Sequence, residues 1–190
     1  MDKQELVEFG EQQFFKALGE IESMLDDLGV ERGVPAMGRE PVMLAEVVKE
    51  AAEDLKFRFE RKDQPLRLEL DEAVKVSGDR HYIKESVAAL LSNASKFSPM
   101  ESAVDVVLKE EDGYAELCVV DHGVGLTQED LQRIFTRYAW LSSHTTGGEP
   151  QGRSTLSRTR QWARAMDGDI TVASEGEGQG CTFSLRLPLA

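Results

Sequence analysis

Cysteine and histidine are scarce: two and three among 190 residues. Cys118 and Cys181 both fall in apolar, strand-like stretches without a Cys-x-x-Cys partner, so they read as reduced core thiols, not a disulfide or zinc framework. No stretch approaches the ~20 consecutive apolar residues of a membrane span. The start, Met1-Asp2-Lys3-Gln4-Glu5, lacks the basic-then-apolar pattern of a secretory signal, which leads us to expect a cytoplasmic chain. Positive charge is also short, 22 Lys and Arg against 35 Asp and Glu, a net charge of -13. That balance argues against nucleic acid and against an anionic membrane surface as partners. What remains, 41% hydrophobic and 30% charged, suits one globular domain with a real core and a small appendage.

Along the chain, residues 4–28 read as a helix, with Val7, Phe14, Leu18, Ile21, Leu25 and Leu28 forming a seam that Glu11 interrupts. The seam suits a partner helix or packing on the chain's own domain. Gly29, Gly33, Pro35 and Gly38 make a linker over 29–40. After a short strand or turn at Pro41, apolar spacing predicts a helix from Leu44 to Arg61. Leu66 to Leu70 alternates as a half-buried strand, and Val74 to Val76 is a second short strand. Asp79 is placed to cap a helix reaching Phe97, with an apolar stripe through Ile83, Val87, Leu90, Leu91 and Ala94. Val104–Lys109 and Ala115–Val120 read as a hairpin. Consecutive apolar residues Leu117 to Val120 predict cover on both faces of its second strand. Residues 122–153 are rich in Gly, Ser and Thr, with only Gln128 to Tyr138 helical in pattern, so 123–153 reads as a lid. A helix to Met166 and a closing hairpin, Ile170–Val172 with Cys181–Leu187, finish the chain.

Two short stretches carry chemistry. Asp121 follows a buried strand and precedes Gly-x-Gly, where a sheet edge opens into a pocket. Its carboxylate can accept a hydrogen bond from the exocyclic amine of adenine. A tight turn after a strand gives the same pattern. Asn93, at the margin of a helix it does not favour, offers a hard neutral oxygen suited to Mg2+. A buried hydrogen bond to a neighbouring loop would explain it as well. Lys96, one turn on, can neutralise phosphate charge.

Leu90-Leu91-Ser92-Asn93-Ala94-Ser95-Lys96-Phe97-Ser98-Pro99 resembles the N box of histidine-kinase ATPase domains, in the superfamily of gyrase, Hsp90 and MutL. Asp121 to Leu126 resembles the G1 box, Arg133 to Tyr138 the F box, and Met166 to Ile170 with Gly180 to Leu189 the end of that fold. The likeness runs from about Pro41 to Ala190. It implies an α/β (α+β) two-layer sandwich of the Bergerat type: a mixed sheet with three main helices on one face, preceded by one helix. It implies ATP and Mg2+ as ligands, Asn93 binding the metal, Lys96 meeting phosphate and Phe97 bordering the sugar. Asp121 would hold the adenine amine, with Gly123 and Gly125 opening the base pocket. Arg137 and Lys96 would be the catalytic charges at the γ-phosphate. Leu126, Phe135, Gly152, Arg153, Ser154, Thr155 and Thr182 come with the resemblance as nucleotide contacts.

Three departures qualify it. Ala89 stands where these kinases commonly carry Asn or Glu, unless Glu85 or Ser86 substitutes. The G2 box reads Gln151-Gly152-Arg153-Ser154-Thr155-Leu156, with Arg153 and Thr155 in place of glycines. No His-Glu-x-x-x-Pro segment is present, and His81, His122 and His144 read as local polar or solvent-facing. The expectation is therefore a protein-histidine kinase's catalytic unit at 41–190. It would act on a histidine-bearing dimerisation domain outside this chain and serve a response regulator. Residues 1–28 resemble part of a dimerisation hairpin that could pair two copies. A non-catalytic docking relative and an anti-sigma-factor-type protein-serine kinase share the fold. The intact Asn93, Lys96 and Asp121 oppose the first, and the N-terminal helix opposes the second.

Overall fold

The computed structural model describes residues 35–137, 141, 146 and 155–190, together with Gly10, Gln13, Phe14 and Ala17. Those four are helical and exposed; the rest of the predicted helix 4–28, and residues 29–34 of the linker, lie outside the described residues. No described helix is long and apolar enough to cross a membrane.

Strand β1 (Glu40–Met43) leads directly into helix α1 (Leu44–Asp54), and a short helix α2 (Lys56–Arg61) follows. The predicted single helix 44–61 is thus two. Leu55, at φ -97° and ψ 0°, interrupts it, and beyond the break Phe59 is buried while Phe57 stays 76% exposed. Strands β2 (Leu66–Leu70) and β3 (Lys75–Gly78) precede the long helix α3 (Arg80–Phe97), the element around which the site is built. Strands β4 (Val104–Glu111) and β5 (Tyr114–Asp121) form a hairpin that is longer than expected. Asp112 and Gly113 both take positive φ, 51° and 78°, which a two-residue turn needs to match the strand twist. Helix α4 (Gln128–Arg133) is short, helix α5 (Thr155–Ala165) is amphipathic, and β6 (Asp169–Ala173) with β7 (Cys181–Pro188) closes the chain.

The main sheet has order β2-β4-β5-β7-β6, parallel between β2 and β4 and antiparallel elsewhere; β1 and β3 form a separate pair. Helices α1, α3 and α5 cover one face, as the mixed-sheet expectation requires. The core joins Leu44, Val47 and Val48 of α1, Ile83, Val87 and Leu90 of α3, and Leu117, Val119, Leu185 and Leu187 of the sheet. Each such side chain contributes roughly 1.5–3 kcal/mol on burial.

Two sequence expectations change. Strand β5 alternates between fully and partly buried residues, so its second face, with Cys118 and Val120, is only half covered. Among the described residues the helices lie on one face only, and apolar residues at every position did not mean two covered faces. Strand β2 is the sheet's edge, beyond the helices, which leaves Leu68 39% exposed. A groove of about 650 Å3 opens there between α1, α2 and β2, lined by Ala52, Phe59, Pro65, Leu66 and Leu68. It contains neither Asn93 nor Asp121.

Candidate nucleotide-binding site

Helix α3 carries the first half of the site. Its N-terminus is finished by its neighbour: Asp79 Oδ1 accepts from the backbone N–H groups of His81 (3.0 Å) and Tyr82 (3.4 Å). Its C-terminus is finished from elsewhere. A helix leaves its last carbonyls without intrahelical partners, and here distant groups supply them. Ser95 O and Ser98 O accept from Lys62 Nζ at 2.7 and 2.9 Å and from Gln64 Nε2 at 3.2 and 3.1 Å. Lys96 O accepts from Thr146 N at 3.0 Å, and Phe97 O accepts from Val124 N at 3.1 Å.

That last bond joins the two halves, because Val124 lies in the Gly-x-Gly turn after Asp121. Asn93 sits one helical turn before Phe97 on the same side. Its side chain is half-buried and makes no hydrogen bond to any described residue. The neighbouring-loop bond that would have explained it structurally is therefore not among the described contacts. Lys96 is half-buried one turn along. Ser86 cannot stand in for the missing Ala89 contact: it is fully buried and its hydroxyl donates to Tyr82 O at 2.7 Å.

Asp121 ends β5 and is 4% exposed. Its Oδ1 accepts from Gly123 N at 2.9 Å and Cys181 N at 3.2 Å. Its Oδ2 has no partner among the described residues. Burial pushes the carboxyl up to about 6, and the two backbone donors hold it back from rising further. The Gly-x-Gly turn is locked on two sides. Gly180 N donates to Gly123 O at 3.2 Å and Gly178 N to Val124 O at 2.7 Å. Leu126 N donates to Ser174 Oγ at 3.1 Å, and that hydroxyl lies 2.7 Å from Gly180 O. A Cβ on Gly123 would collide with the Phe97 carbonyl, and one on Gly125, at φ +67°, with the Gly176 carbonyl. The glycines are needed for these backbone approaches, a tighter demand than opening a base pocket.

The remaining expected residues divide. Leu126 is buried and belongs to the core. Phe135 is half-buried with the Arg160 guanidinium 4.5 Å from its ring centre, while Arg160 pairs with Asp169 at 2.7 Å, so protein already covers one side of that ring. Arg137 is half-buried and Thr155 is the first residue of α5. Gly152, Arg153 and Ser154 lie outside the described residues, as do Tyr138, His144 and, of the second half of the predicted lid from 138 on, all but residues 141 and 146.

Thr182 stands apart from Asp121. The register sets it opposite Val120, on the sheet face away from the helices, whereas Cys181 lies opposite Asp121. Core residues Phe183, Leu185 and Leu187 alternate with Cys181 and not with Thr182, so parity in the sequence carried the signal. Burial pushes the Cys181 thiol up to about 12, with the Asp121 carboxylate acting in the same direction. His81 and His122 are exposed, as expected; His122 Nε2 lies 3.5 Å from Asp105 Oδ2. Sequence reasoning missed Lys62, Gln64, Thr146, Ser174 and Cys181.

A family model for histidine kinase-, DNA gyrase B- and HSP90-like ATPases matches residues 78–190, and the chain belongs to that family. It is 37% identical over 119 residues to the histidine protein kinase DivJ of Caulobacter vibrioides, covering 61% of this chain and 19% of DivJ. It is 32% identical over 145 residues to the sensor-like histidine kinase SenX3 of Mycobacterium tuberculosis, covering 75% and 34%. The solved mycobacterial sensor histidine kinase MprB superposes with a TM-score of 0.71 at 26% identity, over 79% of this chain and 98% of that one. The chain thus spans about a third or less of these two curated relatives.

Proposed function

We propose that this chain is the ATP-binding catalytic unit of a sensor histidine kinase, binding Mg-ATP for γ-phosphoryl transfer to a histidine on another segment. One observation carries the reading: a buried carboxylate, Asp121, keeps one oxygen unbonded beside a helix end whose Asn93 is unbonded too. Both groups keep some contact with solvent, so a ligand entering there meets an acceptor and an amide that no described protein group already occupies. Asp121 Oδ2 accepts the adenine amine. Asn93 supplies one neutral oxygen to Mg2+, a metal that takes few protein ligands and fills its remaining positions with phosphate and water. No described cluster of three or more His, Cys, Asp or Glu competes as a metal cage. Bound Mg2+ would neutralise phosphate charge.

This chain's own part is to orient the triphosphate. Lys96, Arg137 and Thr155, the first residue of α5, are the groups we assign to the phosphates, and the roles of Gly152, Arg153 and Ser154 and of a lid over 123–153 are carried over from the family resemblance. Phosphoryl transfer asks for positioning and charge, with little covalent help from protein. The bond from the γ-phosphorus to its bridging oxygen breaks, a phosphorus–nitrogen bond forms on the imidazole, and ADP leaves. The histidine-bearing dimerisation domain and a response regulator are the partners, and residues 1–28, by their resemblance to part of a dimerisation hairpin, would contribute to pairing.

The test is to incubate the chain with γ-labelled ATP, Mg2+ and a separately made histidine-bearing helical hairpin. Acid-labile, alkali-stable label on the hairpin is expected. Acid-stable label on serine, or nucleotide binding without any transfer, would overturn the kinase assignment.

A further inference from the structure

Lys62 is 5% exposed, deep for an ammonium group that loses its hydration there. Its Nζ donates to Ser95 O at 2.7 Å, Ser98 O at 2.9 Å and Thr146 Oγ1 at 2.8 Å. The site is electrostatically apt, since the C-terminal carbonyls of α3 form the negative end of the helix dipole. Ending the helix does not require it. Pro99 already turns the chain out, and neutral Gln64 donates to Ser95 O, Ser98 O and Pro99 O while accepting from Ser95 Oγ at 2.7 Å. What the lysine adds is Thr146. That residue lies 48 positions beyond Ser98, and it bonds the same turn through both its N–H and its hydroxyl. Its N–H donates to Lys96 O at 3.0 Å, and its hydroxyl lies 3.1 Å from Lys96 O and 2.6 Å from Ser98 O.

We propose that Lys62 and Thr146 are positioning residues for the nucleotide site: together they clamp the last turn of α3, which carries Lys96 and directly follows Asn93. The clamp acts first on the metal and phosphate side; the Asp121 side, joined to the same turn through Val124 N and Phe97 O, has its own additional support from the 174–181 turn. The inference rests on the nucleotide reading above and adds residues that do not themselves touch ATP.

The test compares Mg-ATP and adenosine binding in Thr146→Val, which keeps the backbone bond and removes the hydroxyl. Losing a hydrogen bond of this kind predicts a roughly three- to tenfold weaker Mg-ATP affinity. Adenosine affinity should stay unchanged, and Thr146→Ser should restore Mg-ATP binding. Lys62→Met should shift Mg-ATP affinity further in the same direction; if it fails to fold, the threonine pair decides. Equal Mg-ATP binding by Thr146→Val and the unaltered chain would overturn the clamp. So would equal losses for adenosine and Mg-ATP, which would mark a general structural role. An unaltered chain that does not bind ATP would overturn the nucleotide reading and the clamp with it. Binding by that chain with an indifferent variant would overturn the clamp alone.

Discussion

The two ends of α3 are finished by opposite means. At the N-terminus one adjacent residue, Asp79, caps two backbone donors, and its other oxygen takes Gly38 N at 2.9 Å. At the C-terminus the carbonyls of residues 95–98 are paired by Lys62, Gln64, Thr146 and Val124, from three separate stretches of chain. Altering the N-terminal end also releases Gly38, but none of the Asp79 bonds reaches the candidate site. An end satisfied from a distance ties together every segment that reaches it. In this protein those segments include the Gly-x-Gly turn and the turn of α3 that bears Asn93. The costly end is the one beside the candidate site.

That contrast can be broken on purpose. Gly123→Ala should have the largest effect, because the new Cβ meets the Phe97 carbonyl and lies 2.9 Å from Asp121 Oδ1. Neither can move without disturbing both halves of the site, so urea denaturation should show a loss of about 3 kcal/mol, with ATP binding abolished. Asp121→Asn should act in the other direction on stability. The native protein holds the Asp121 proton up to about pH 6 against an ordinary 3.8, so stability falls across that window as pH rises and is level above it. Replacing the carboxylate should raise stability at pH 8 by on the order of 1–3 kcal/mol and change it little below pH 4. The same variant should lose discrimination of ATP from GTP. Asp79→Ala is the smallest: about 1 kcal/mol lost in the same denaturation assay, with Mg-ATP affinity unchanged. An Asp79 variant that weakened Mg-ATP binding as much as Thr146→Val would erase the distinction between the two ends.

The same contrast explains what the sequence made legible. The Asp79 cap, the bounds of α3 and the alternation of β7 depend on neighbours in sequence, and they were read correctly. Asp121 and its glycines were visible for the same reason. Lys62 was not, because a lysine at the end of a charged helical stretch resembles a solvated surface group. Nor was Thr146, whose partners lie up to 84 positions away. The break at Leu55 has no glycine or proline to announce it. Strand β5 misled because residues apolar at every position fit a strand with one covered face as well as one with two. Thr182 is a different case: it came from motif resemblance, while strand parity sets Cys181 and not Thr182 opposite Asp121.

Calorimetric titration of ATP, with and without Mg2+, into the unaltered chain and Asn93→Ala tests the central claim most directly. The account predicts that Mg2+ tightens ATP binding to the unaltered chain. Asn93→Ala should keep the magnesium-free affinity and lose that increment. An identical magnesium response in the two proteins would contradict it.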